Sequence, residues 1–121
     1  MAKDIDPDSM HCNCPVTTTL EILGGRWKPI ILYCLQDGPV RFNALKRMIP
    51  GITQRMLTLS LRELESDGLI LRHVREVVPP HVDYAMSPLG ESLKPVLHAM
   101  SEWGAYYRTQ TAPPQATSDA A

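Results

Sequence analysis

Apolar side chains recur along this chain first at helical spacing, then at the alternation of strands, then at helical spacing again, and the changes of period mark the predicted elements. Pro15 suits the opening of a first helix, and Val16, Leu20 and Leu23 follow on one side before Gly24 and Gly25 break the chain. A second helix is predicted from Arg26 to Leu35, with a wide buried stripe of Trp27, Ile30, Ile31, Cys34 and Leu35. Pro29 falls in its first turn, where backbone N–H groups have no partner to lose. The turn Asp37-Gly38-Pro39 leads into a short strand, Val40-Arg41-Phe42, and then a brief helix from Asn43 to Met48 that ends before Pro50.

The clearest pattern lies between Gly51 and Ser87. Thr53 reads as an N-cap, Leu57, Leu61 and Leu64 recur along one side of a helix, and Gly68 supplies its stop. On the opposite side stand Gln54, Arg55, Thr58 and Arg62, whose donors can reach base edges and phosphate oxygens in a major groove. The connector Ile49-Pro50-Gly51-Ile52 joins this helix to the preceding one as in a helix-turn-helix. Leu69 to Val78 and His81 to Met86 are strand-like and meet at Pro79-Pro80, a tip too long for a tight hairpin turn, which makes them a wing. The fold class is therefore α+β, mainly α: a winged helix-turn-helix with an N-terminal helix and a long C-terminal helix.

That last helix restarts at Ser87-Pro88 and is predicted to run to about Tyr107, with Leu89, Leu93, Val96, Met100, Trp103 and Tyr107 spaced alternately by three and four. So long a stripe has little left to pack on within one small domain, and it reads as a seam for a second copy, giving a homodimer. The alternative is that it folds back on its own domain. Pro95 should bend the helix locally. The expected organisation is a flexible arm over residues 1–13, one domain over 14–107, and a disordered tail over 108–121 rich in Ala, Pro, Ser and Thr.

With 121 residues, 44% of them apolar and 21% charged, the chain suits one globular domain. It has no apolar run approaching the roughly 20 residues of a membrane span, nor the apolar core of a secretory signal at its N-terminus, so a cytoplasmic protein without membrane contact is expected. The net charge of -1 speaks against a nucleic-acid binder until it is resolved by region. Between Arg26 and Arg75 nine Lys or Arg face four acids, a net +5, whereas the rest carries three bases and nine acids. Positive charge gathered on the reading segment is the footprint of phosphate neutralisation; an ordinary solvated surface is the bland alternative. No nucleophile, base and orienting carboxylate share a motif, and Gly24-Gly25 is a helix break rather than a nucleotide cradle, so no enzyme and no cofactor is expected. A winged helix can also serve as a protein-interaction module, against which the regional charge and the polar outer helix face argue.

His11, Cys12 and Cys14 crowd the entrance of the first helix. Next to Pro15, the sulfur of Cys14 sits near unpaired N–H groups at the positive end of the helix dipole, an arrangement that favours a thiolate reactive toward oxidants and electrophiles. Its alternative is a structural cysteine that caps the helix. Cys34, on the second helix, reads as a small inert hydrophobe. His11, Cys12 and Cys14 give three metal ligands at best, and His73, His81 and His98 do not converge with them in sequence, so no metal is assigned.

Seven words of this sequence, in order, make it resemble the HxlR family of bacterial winged-helix, MarR-like transcription regulators. They are Cys14-Pro15-Val16, Gly24-Gly25-Arg26-Trp27-Lys28-Pro29, Gly38 to Leu45 (GPVRFNAL), Ile49-Pro50-Gly51-Ile52-Thr53, Leu61 to Ile70 (LRELESDGLI), Pro79-Pro80 with Val82-Asp83-Tyr84, and Trp103-Gly104. The resemblance covers Cys14 to about Tyr107. It implies a homodimer on a pseudo-palindromic double-stranded operator, with Thr53, Gln54, Arg55, Thr58 and Arg62 on the major-groove helix and repression as the family default. Arg41, Asn43 and Lys46, and Arg72, Arg75 and His81 of the wing, would then hold phosphate. An N-terminal cysteine in some members senses quinones, aldehydes or disulfide stress, and Cys14 falls on that position, with Cys12 or a cysteine of the second subunit as its resolving thiol. The chain departs from the pattern near Val77, where many members carry a large residue, and at Ser87, where many carry Thr; the first departure weakens an effector pocket inferred there by analogy.

Overall fold

The computed structural model describes residues 14–112. Four helices come first, interrupted by one short strand: α1 (Pro15–Leu23), α2 (Trp27–Cys34), β1 (Val40–Arg41), α3 (Phe42–Met48) and α4 (Gln54–Ser66). The hairpin β2 (Ile70–Arg75) and β3 (His81–Met86) follows, and the chain closes with α5 (Pro88–Glu91) and α6 (Lys94–Thr111). The antiparallel sheet has the order β1-β3-β2, with Val40 opposite Tyr84 on one edge of β3 and Arg72 opposite Tyr84 on the other. This is the expected winged helix-turn-helix.

The core forms where α2, α3, α4, α6 and the root of the hairpin meet. Ile31, Leu32, Leu45, Leu57, Leu64 and Ile70 are among its fully enclosed side chains. Each such aliphatic side chain contributes about 1.5–3 kcal/mol by leaving water, and three of the leucines on α4 alone (Leu57, Leu61, Leu64) fix how that helix is rotated. Thr53 caps α4 as expected, its Oγ1 accepting from Met56 N at 3.0 Å. Gly68 ends it in the left-handed region, φ 81°.

Several boundaries and faces differ from the sequence expectation. Phe42 opens α3 instead of extending β1. On α2 the buried face is centred one residue further along: Leu32 is enclosed and Ile30 is exposed, because α2 is flanked by α4 on one side and α6 on another. On α1 only Leu23 is buried, and Val16 and Leu20 stand in solvent. β2 stops at Arg75, not Val78; pairing of Arg75 with His81 leaves residues 76–80 as the tip, where Pro79 and Pro80 have no N–H to offer a ladder.

The C-terminal helix is two helices. Ser92 and Leu93 break it, and Pro95 sits in the first turn of α6, where it starts the helix rather than bending it. The break lets Leu97 enter the core. α6 also continues through Thr111, so Arg108 to Thr111 are helical and not part of a disordered tail. Ser87 closes the junction: its Oγ accepts from Gly90 N at 3.0 Å and donates to Gly68 O at 2.6 Å. A hydroxyl suffices for both bonds, so Ser in place of Thr leaves the joint intact.

Candidate nucleic-acid interface

With Leu57, Leu61 and Leu64 turned inward, α4 presents Gln54, Arg55 and Arg62 to solvent, and Thr58 half-buried between them. These four and Leu59 line a shallow open groove of about 590 Å³ along the helix surface. Leu59, which sequence reading left out, is exposed at 47% in spite of its apolar side chain. Gln54, Arg55, Thr58 and Arg62 are thus brought together on one face. Thr53 stands at the head of this helix, where its Oγ1 accepts the cap bond and its hydroxyl can still donate.

Arg72 comes to the same place from the wing. Because it lies opposite Tyr84 on β3, its side chain shares a cleft with Thr58, Arg62, Glu65 and Tyr84 at the junction of α4 and the sheet. A second cleft, about 520 Å³, lies between α3 and the wing tip; Arg41, Asn43, Arg47, His81 and the prolines 79 and 80 are among its walls. Lys46 is exposed on α3 but lines neither.

Arg75 and His81 are not free in the same way. Asp83, 8% exposed, takes Arg75 Nε onto Oδ2 at 2.7 Å and has His81 Nε2 3.4 Å from Oδ1. Arg41 and His73 flank it in register on the neighbouring strands. The Arg75 hydrogen bond, aided by the positive charges of Arg75, His81 and Arg41, outweighs partial burial and holds the Asp83 carboxyl below the usual carboxylate range. Sequence reading missed Asp83, although the signal was there: once the tip is placed at 76–80, an acid at 83 and a base at 75 fall on the same face of the hairpin.

The other charges of the basic segment sort simply. Lys28 bonds Glu63 across α2 and α4 at 3.4 Å, and the Arg26 guanidinium stacks 4.6 Å over the Trp27 ring. Arg41, Lys46, Arg47, Arg55, Arg62 and Arg72 form no ion pair within 4.0 Å among the described residues, although the charge of Arg41 still acts on Asp83.

At the other end of the chain Cys14 is the N-cap of α1, half-buried, and its side chain makes no capping hydrogen bond. Cys12 and His11 lie outside the described residues. Cys34 is half-buried, and its surroundings push the thiol up, away from thiolate, as suits an inert side chain. No cluster of three metal-ligating side chains occurs among the described residues, nor is any helix there long and apolar enough to cross a membrane.

Of the predicted seam, Leu93 packs against the chain's own core, whereas Leu89, Val96, Met100, Trp103 and Tyr107 are exposed, Trp103 at 62%. Trp103 and Tyr107 stack with ring centres 5.3 Å apart. Folding back therefore accounts for Leu93 alone and leaves an apolar surface along α6.

The sequence profile of HxlR-like helix-turn-helix proteins matches residues 22–112. The uncharacterised HTH-type transcriptional regulator YdeP of Bacillus subtilis (strain 168) is 55% identical over 95 residues, 78% of this chain and 74% of that one. Among solved structures, the redox regulator HypR in its reduced form is 50% identical with a TM-score of 0.74, covering 78% of this chain and 93% of its own. Its oxidised form is likewise 50% identical, with a TM-score of 0.73 and coverage of 77% and 96%. With most of its length matched at half identity and the reading helix, wing and core in place, the chain belongs to the HxlR-like helix-turn-helix family of transcriptional regulators.

Proposed function

We propose that this chain is a homodimeric, sequence-specific repressor that binds a pseudo-palindromic duplex in the cytoplasm and releases it when Cys14 is oxidised or alkylated. The observation that carries the DNA reading is the outer face of α4, where Gln54, Arg55, Thr58 and Arg62 stand together on a helix held from behind by three buried leucines. Such a helix offers bidentate donors to base edges in a fixed orientation. Arg41, Asn43, Lys46 and Arg72 flank it as phosphate contacts, and Arg75, paired with Asp83, and His81 beside it add to them from the wing. The dimer rests on α6, whose Val96, Met100, Trp103 and Tyr107 would be covered by a second copy, with Leu89 and Leu93 at the same end. The residues named for DNA binding and dimerisation all fall between β1 and the end of α6.

The thiol reading is supported by the place of Cys14 at the mouth of α1 and by likeness to HypR, which is a redox regulator. Two thiols, Cys14 with Cys12 or with a cysteine of the second subunit, would give two protons and two electrons to an oxidant and close a disulfide. Purified full-length protein titrated onto duplexes from its own upstream region, with and without diamide, tests both parts. Tight binding that diamide abolishes in the parent, and leaves unchanged in Cys14→Ser, is expected. Release from Cys14→Ser by diamide would remove the thiol switch while leaving DNA binding; absence of binding even at low salt would indicate a protein-interaction module.

A further inference from the structure

The α4 groove holds one side chain that donors and phosphates do not explain. Leu57, Leu61 and Leu64 of this helix are enclosed, yet Leu59 lies nearly half in solvent on the wall it shares with Gln54, Arg55, Thr58 and Arg62. Arg55 and Arg62 are seven residues apart, roughly 10.5 Å along the axis, and Thr58 and Leu59 fall one turn from each, forming a floor between two long cationic side chains. About three base-pair steps of roughly 3.4 Å fit that span. Guanine offers the two acceptors that arginine takes best, and among major-groove edges only thymine projects an apolar group, its C5-methyl.

Resting on the DNA-reading role of α4, we propose that Leu59, with the methyl group of Thr58, determines specificity by receiving the C5-methyl group of a thymine that lies between the bases faced by Arg55 and Arg62. The cations at either end match a polyanion rather than an apolar protein surface.

The test begins by selecting duplexes from a randomised library with the full-length protein. Each thymine of the selected site is then replaced singly by deoxyuridine, which removes only the methyl group. One thymine in each half-site is expected at which deoxyuridine weakens binding about fourfold, as befits the exposure of one buried methyl-sized group. Leu59→Ala should bind the thymine site correspondingly more weakly and should no longer distinguish thymine from deoxyuridine there. Because Leu59 is outside the buried core, Leu59→Ala should remain folded and unfold cooperatively at a thermal midpoint well above the assay temperature, which separates lost recognition from lost folding. Insensitivity of the parent at every thymine, or undiminished discrimination by Leu59→Ala, overturns the assignment while leaving DNA reading by α4 standing. Failure to enrich any duplex overturns both.

Discussion

Gly90→Ala should be among the most damaging single-methyl changes in this protein. Gly90 lies where α5 crosses the exit of α4, and a Cβ there would fall far inside the 3.0 Å that real Cβ atoms keep from other heavy atoms, against the Leu69 carbonyl oxygen, with the Leu69 carbonyl carbon at 3.1 Å and Met86 Cβ at 3.4 Å. The obstructing atom is backbone and cannot rotate away. It is also engaged, accepting from Ser87 N at 3.0 Å. If α5 withdraws, that bond and the pair made by Ser87 Oγ to Gly90 N and Gly68 O are stretched together. Overpacking of this kind costs about 1–3 kcal/mol, and each strained hydrogen bond about 0.5–1.5 kcal/mol, so a loss of about 3 kcal/mol is expected. For a domain of this size that lowers the melting temperature by roughly 10–20 °C. Urea unfolding followed by circular dichroism at fixed protein concentration measures it directly. A loss under about 1 kcal/mol with an unchanged m-value would show that α5 and the wing root are not clamped as described.

The interface and α6 set four further outcomes. Arg55→Ala should weaken operator binding by about 1–3 kcal/mol and relax base preference, measurable by titrating operator and random duplexes side by side; equal loss on both would assign Arg55 to phosphate. Asp83→Asn removes a negative charge and releases the Arg75 guanidinium, so binding to random DNA should tighten and its salt dependence steepen by up to about one phosphate per copy, with reduced preference for the operator. Because the Arg75 bond lowers the folded-state pKa of Asp83, the wing anchor is complete above the ordinary carboxylate range and is lost only as the pH falls through the lower folded value; an acid titration of wing mobility should show this loss in the parent and lack it in Asp83→Asn. Trp103→Ala should leave the monomer folded, since the ring is largely exposed, but weaken dimerisation by at least about 2 kcal/mol by sedimentation analysis, as expected of a central aromatic contact.

What could be read from the chain and what could not divide along physical lines. α4 was legible because a cap at Thr53, a leucine period and a stop at Gly68 all act locally and agree. β3 was legible for its β-favouring residues, Val82 and Tyr84 among them. The buried face of α2 was not, since Leu32 is enclosed by two helices that approach from different directions and a single stripe cannot express that. Pro95 was ambiguous by nature: proline bends a helix from its middle and opens one from its first turn, and only the break at Ser92-Leu93 decides between them. Asp83 required the register of the hairpin, a non-local property, before its pairing with Arg75 could emerge. The candidate bases and donors were recognisable as residue types, but their division into six cations with no ion pair among the described residues, Arg75 held by Asp83 and His81 lying beside it depends on three-dimensional distances.

The most direct test of the central claim is the dependence of operator affinity on salt. Arg41, Lys46, Arg47, Arg55, Arg62 and Arg72 are available on each copy, and if about half of them meet phosphate in a dimer, the logarithm of the observed binding constant should fall against the logarithm of salt concentration with a slope of about -5 or steeper. A slope near zero, or no duplex binding in dilute buffer, would contradict the account.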